Sequence, residues 1–151
     1  MKPVHSYVHT LCSTDVVTLT VTADDEVFVY DNGQIVLSNS DWWSPQTVTY
    51  NSDPCVLAVS AVDGGVLAGI LGETSTGVMT DASWKCSMTL QTGWHLTSFD
   101  DSGWSNAVIT GTNGDGNPWQ RSISGISTQA KWIWADVTPY VGTTYCRKTL
   151  C

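Results

Sequence analysis

Asp41-Trp42-Trp43-Ser44-Pro45 sets two adjacent indoles among Ser, Asn and Pro instead of among strand formers. Such flanks put at least one indole on a loop surface, and loops carry binding groups out of proportion to their length. The chemistry this allows is sugar recognition. A pyranose presents a face of C–H bonds that stacks on an aromatic ring, while its hydroxyls need Asp, Asn, Arg or His at the rim.

A second stretch, Thr112-Asn113-Gly114-Asp115-Gly116-Asn117-Pro118-Trp119-Gln120-Arg121, supplies such a rim. Asn113, Asp115 and Asn117 alternate as oxygen donors around glycines and are candidate calcium ligands. The bidentate Glu that would complete a helix-loop-helix calcium site is missing, and turn formation alone accounts for the same residues. The candidate carbohydrate-binding set is therefore Asp41, Trp42, Trp43, Asn113, Asp115, Asn117, Trp119 and Arg121. A third group, Asp24-Asp25, follows a run of strand formers; it braces a turn or offers paired oxygens to calcium. Trp84, Trp94, Trp104, Trp132 and Trp134 sit in alternating patterns or structural phrases and are assigned to the core.

Catalytic readings find little support. The 14 Asp and Glu give no spacing that selects a glycosidase pair, and His5, His9 and His95 accompany neither a nucleophile motif nor zinc spacing. The chain is read as a non-enzyme. Its net charge of −8 repels phosphate backbones and excludes nucleic acid as a partner. No run approaches the roughly 20 apolar residues that span a bilayer, so membrane insertion is not expected. Met1-Lys2-Pro3-Val4-His5 lacks the apolar run of a signal peptide, which leaves a mature form, a fragment or cytosolic synthesis. The five cysteines form no C-x-x-C pair and read as disulfides, one thiol being left over or paired with another chain. That places the protein in an oxidising, secreted or extracellular setting.

The elements that must position these groups are strands. No window keeps helical periodicity for three turns. Val16 to Ala23 and Glu26 to Tyr30 alternate β-branched or aromatic with polar residues and run into Asp31-Asn32-Gly33, a hairpin signal. Gln34–Leu37, Thr47–Tyr50, Cys55–Val62 and Val66–Leu71 follow at the spacing of a sandwich or barrel. Trp132–Trp134 and Tyr145–Leu150 supply later strands. With 151 residues and no linker, residues 1–151 form one domain. His9-Thr10-Leu11-Cys12 resembles Lys148-Thr149-Leu150-Cys151, as expected of one repeat from a tandem array; coincidence over four residues is the alternative.

Six phrases in order also resemble the galactose-binding-like jelly roll found as a sugar-binding module on glycosidases such as α-L-rhamnosidases. They are Thr22–Gly33, Leu57–Ala61, Thr80–Lys85, Phe99–Ala107, Lys131–Trp134 and Tyr145–Leu150. The resemblance implies an all-β jelly-roll sandwich of two antiparallel sheets. It also implies non-catalytic binding of galactose- or deoxyhexose-like glycans. Asp31 stands where the family more often has Val, and Cys146 where an aromatic is usual. The paired novelty of two cysteines implies an added Cys86–Cys146 bridge. In Asp100-Asp101-Ser102-Gly103-Trp104 the acids are read as turn braces and the indole as a core plug. The competing class is a structural or adhesive matrix repeat without a sugar ligand, held by self-association or by tandem neighbours. A third reading is the accessory domain of a larger glycosidase.

Overall fold

A computed structural model describes residues 16–65, 67–114, 119, 121–136 and 141–151. Asp115, Asn117 and the His9–Cys12 phrase lie outside the described residues. Eleven strands are defined: β1 Thr18–Asp24, β2 Glu26–Asp31, β3 Gln34–Asn39, β4 Gln46–Thr49, β5 Val56–Asp63, β6 Gly69–Thr74, β7 Lys85–Ser87, β8 Ser105–Asn106, β9 Val108–Thr112, β10 Lys131–Trp134 and β11 Gly142–Thr149. They form two antiparallel sheets, β4-β1-β6-β10-β9 and β3-β2-β5-β11-β7-β8. No helix occurs among the described residues. The strands expected from alternation and the two-sheet sandwich implied by the resemblance are therefore what form.

Alternation decides the inner faces. Leu19, Val21 and Ala23 of β1, Val27 and Val29 of β2, and Leu57, Val59 and Ala61 of β5 enter one core with Ile70, Ile133, Trp84 and Trp134. At roughly 25 cal/mol per Å² of apolar area, this burial is the main favourable contribution to folding. Asn32 and Gly33 both take positive φ, 53° and 79°, closing the β2–β3 hairpin as the Asn-Gly pair requires. A β-carbon on Gly33 would also lie 3.2 Å from Leu96 Cδ2.

Alternation fails where loops cover an outer face. Ala58 packs outward with Trp94 and Trp104 beneath the 91–104 segment, while Leu71 and Trp132 pack outward with Trp119, Ile123, Ile126 and Ala130. Consecutive residues of β5 are buried because both faces of that strand are covered.

Arg147 clamps the 91–104 segment to the six-stranded sheet. Its guanidinium donates to Trp94 O at 2.9 Å, Leu96 O at 2.8 Å and the Asp101 carboxylate at 2.5 Å. Asp100 Oδ1 accepts from Ser102 N, so the first acid of that phrase braces its own turn. Disulfides join Cys86 to Cys146, facing residues on β7 and β11, and Cys55 to Cys151. Cys12 lies outside the described residues.

Candidate functional site

The 40–45 loop is held by its own polar groups. Asn39 Nδ2 donates to Asp41 O and Ser44 O, Asn39 Oδ1 accepts from Asp41 N, and Asp41 Oδ1 accepts from Trp43 N. The Asn and Asp side chains replace backbone partners, so the loop keeps one shape without a sheet to hold it. It presents Trp43 to solvent at 56% exposure, with Trp42 half-buried and edge-on to it, ring centroids 5.2 Å apart. The Arg121 guanidinium carbon lies 3.8 Å from the Trp43 ring centroid and covers one indole face.

Behind this loop the rings form a continuous series. Trp42 meets Trp132 edge-on at 6.3 Å, and Trp132 stacks on Trp119 at 4.2 Å with an interplanar angle of 8°. Gly69 makes the stack possible: a β-carbon there would lie 2.9 Å from Trp132 Cε3 and 3.0 Å from Trp119 Cη2. Trp119 is only 6% exposed, and its Nε1 donates to Asp24 Oδ2 at 3.1 Å. The expectation of a rim position for Trp119 is thus corrected. Its indole is the inner ring of the series, sheltered because a planar partner and a carboxylate both lie on the sheet side.

The series ends at three carboxylates. β1 crosses to β2 through Asp24-Asp25, whose peptide is cis, and β5 ends at Asp63 before the chain crosses to β6. Since β1 pairs with β6 and β2 with β5, the two crossovers lie side by side. One oxygen from each of Asp24, Asp25 and Asp63 falls within 4.8 Å of the others. Twice a Ca–O distance of about 2.4 Å is about 4.8 Å, so a single ion can touch all three.

Their electrostatics differ by position. Burial, reinforced by Asp25, pushes the Asp24 carboxyl up to about 7, and burial pushes Asp63 up to about 6. The Gly64 N–H, donating to Asp25 Oδ2 at 3.0 Å, holds Asp25 below the usual carboxylate range. Asp63 is 2% exposed; its Oδ2 accepts from Gly65 N, but its buried Oδ1 has no hydrogen-bond partner. A buried carboxylate oxygen without a donor is costly unless a proton or cation meets it.

Asn113 differs from expectation. It is 1% exposed; its Oδ1 accepts from Ile123 N at 2.6 Å and its Nδ2 faces Ile123 O, Ile126 O and Ser127 O. Its amide is tied to residues 123–127, leaving it unfit for the rim and calcium roles expected of it. Asp41 likewise spends Oδ1 on its turn. The structure brings Trp42, Trp43, Trp119 and Arg121 together and adds Asp24, Asp25 and Asp63. The Asp24-Asp25 doublet was visible in sequence, but nothing in the sequence marked Asp63 as its partner.

An antiparallel sandwich with an aromatic and acidic outer face is the class of protein these features define. No protein-family model matches the chain, and no curated protein matches it. Among solved structures it is similar to the apo form of Pleurotus ostreatus lectin, with a TM-score of 0.60 and 30% identity over 75% of this chain. The match covers 36% of the lectin, so the chain spans about a third of its length.

Proposed function

We propose that this chain is a non-catalytic, extracellular carbohydrate-binding module of lectin type, in which Asp24, Asp25 and Asp63 hold a divalent cation such as calcium. The convergence of three carboxylates, one of them the buried Asp63 whose Oδ1 has no partner, at the end of a continuous aromatic series, carries this reading. Calcium takes six to eight oxygens, so three carboxylates leave positions that adjacent sugar hydroxyls can fill. Trp43, edge-on to Trp42, supplies an apolar surface for a sugar ring on the face that Arg121 does not cover. Likeness to part of a lectin supports the same reading, and the two disulfides suit an oxidising extracellular setting.

The ligand class is galactose- or deoxyhexose-like, since neutral hexoses combine an apolar face with vicinal hydroxyls. A single shallow site binds such sugars at about millimolar to micromolar Kd, so the domain works as one unit of a tandem array that gains by avidity. The test is a titration of tryptophan fluorescence with galactose, rhamnose and fucose, with calcium and with chelator, alongside a glycan array. Saturable, calcium-dependent quenching by at least one sugar is expected. No response to any sugar in either condition overturns the proposal and leaves a disulfide-stapled matrix repeat.

A further inference from the structure

We infer that the Trp43–Arg121 pair is a second subsite, apart from the cation site, selective for a saccharide residue that carries a carboxylate or sulfate. The inference rests on the carbohydrate-binding reading above and adds a ligand class to it.

The guanidinium is placed but not satisfied. Its carbon lies over an exposed indole, 3.8 Å from the ring centroid, and no side chain or carbonyl among the described residues accepts from it. The other described arginine, Arg147, is buried and donates to Asp101, Trp94 O and Leu96 O. In a chain with 14 acids and 6 basic residues, a guanidinium with no ion pair among the described residues is unusual. Contact with a ring uses none of the guanidinium's N–H groups as hydrogen-bond donors to oxygen. Those groups form a fork whose spacing matches two oxygens of a carboxylate or sulfate. Asp41, on the same loop as Trp43, accepts from Trp43 N and forms no ion pair with Arg121.

Both partners are held in place. Trp43 is fixed by the Asn39–Asp41–Ser44 bonds of its loop. Arg121 follows two residues after Trp119, whose indole is anchored to Asp24. Two residues of chain span at most roughly 7 Å, so the Arg121 backbone lies beside the inner end of the aromatic series. A glycan of several residues that meets the cation with a neutral residue at the inner end of the series can place an acidic residue at the Trp43–Arg121 pair at its outer end. The net charge of −8 opposes an anion at long range, but at physiological salt that field is screened beyond about 8 Å and the contact pair decides.

The experiment measures Kd by calorimetry, with calcium present, for three oligosaccharides of one backbone: neutral, uronate-bearing and sulfated. Wild type and Arg121→Gln are compared at 50 and 500 mM NaCl. At least one acidic form is expected to bind wild type about tenfold tighter than the neutral form, a preference of one charge-assisted fork. That preference collapses to about one in Arg121→Gln and shrinks at high salt; Arg121→Lys, which keeps the charge but not the fork, recovers part of it. The two acidic arms identify which anion is read. Equal affinity for acidic and neutral forms in wild type, or a preference that survives Arg121→Gln, overturns the inference while the neutral sugar's binding upholds the broader reading. Failure of all three to bind overturns both.

Discussion

Adding calcium should raise the melting temperature, and Asp63→Asn should abolish that rise while itself stabilising the calcium-free protein at pH 8. Asp63 is 2% exposed, its Oδ1 has no partner and two other carboxylates lie close by, so without a cation its charge is a net cost. An amide of the same shape removes that charge and donates to a neighbouring carboxylate. Calcium sites of extracellular modules have Kd of about 0.1–1 mM. At 10 mM calcium and a Kd of about 0.1 mM, linkage stabilises the folded state by about 2.7 kcal/mol. For a chain of this size, 1 kcal/mol moves the midpoint by about 2–4 °C, which gives a rise of about 5–10 °C. The assay is calorimetric or circular-dichroism melting at pH 8, disulfides intact, with calcium or chelator. The expected rise in Asp63→Asn is below about 1 °C, because one of three charged ligands is gone. A wild-type midpoint indifferent to calcium, or an undiminished rise in Asp63→Asn, would refute the reasoning.

Four further outcomes follow from the same geometry. In chelator, stability should fall as pH rises from 5 to 8: Asp24 and Asp63 hold their protons up to about 7 and about 6, above the unfolded value near 3.9. Their contribution is complete below about pH 4 and is lost through pH 6–7, whereas Asp25, held low, acts only on further acidification; a flat profile in chelator would contradict this. Gly69→Ala should cost about 1–3 kcal/mol and weaken the near-ultraviolet signal of the stacked indoles, because the added carbon meets two rigid rings; unchanged melting would count against it. Arg147→Met should cost about 3–5 kcal/mol in urea unfolding, since it orphans the Trp94 and Leu96 carbonyls and the Asp101 charge. Trp43→Ala should leave the melting midpoint within about 1 °C but remove sugar binding, as an exposed ring contributes little to folding; retained binding would place the sugar elsewhere.

Much of the architecture was legible because strand period and turn chemistry are local. Thr18–Asp24 alternates in sequence as it does in space, and Asn32-Gly33 needs no distant partner to turn the chain. β9 was missed, since Val108–Thr112 carries two apolar residues and a glycine and becomes a strand by pairing with β10. Loop indoles were recognisable from their polar neighbours, and Trp43 stands in solvent accordingly.

What the chain could not disclose by itself was which residues face one another. Trp119 and Trp43 have similar local contexts, yet one stacks on Trp132 inside and the other lies outside, because Gly69 leaves room for a ring on the sheet only at the first. Asn113 reads as a ligand along the chain and is a staple in space, since Ile123, Ile126 and Ser127 bring backbone groups to its amide. Asp63 joins Asp24 and Asp25 across 38 residues only because two crossovers between sheets run side by side. Local sequence sets backbone preference through sterics and hydrogen bonding within a few residues; the meeting of distant charges and rings depends on sheet order, which the packing of the whole core selects.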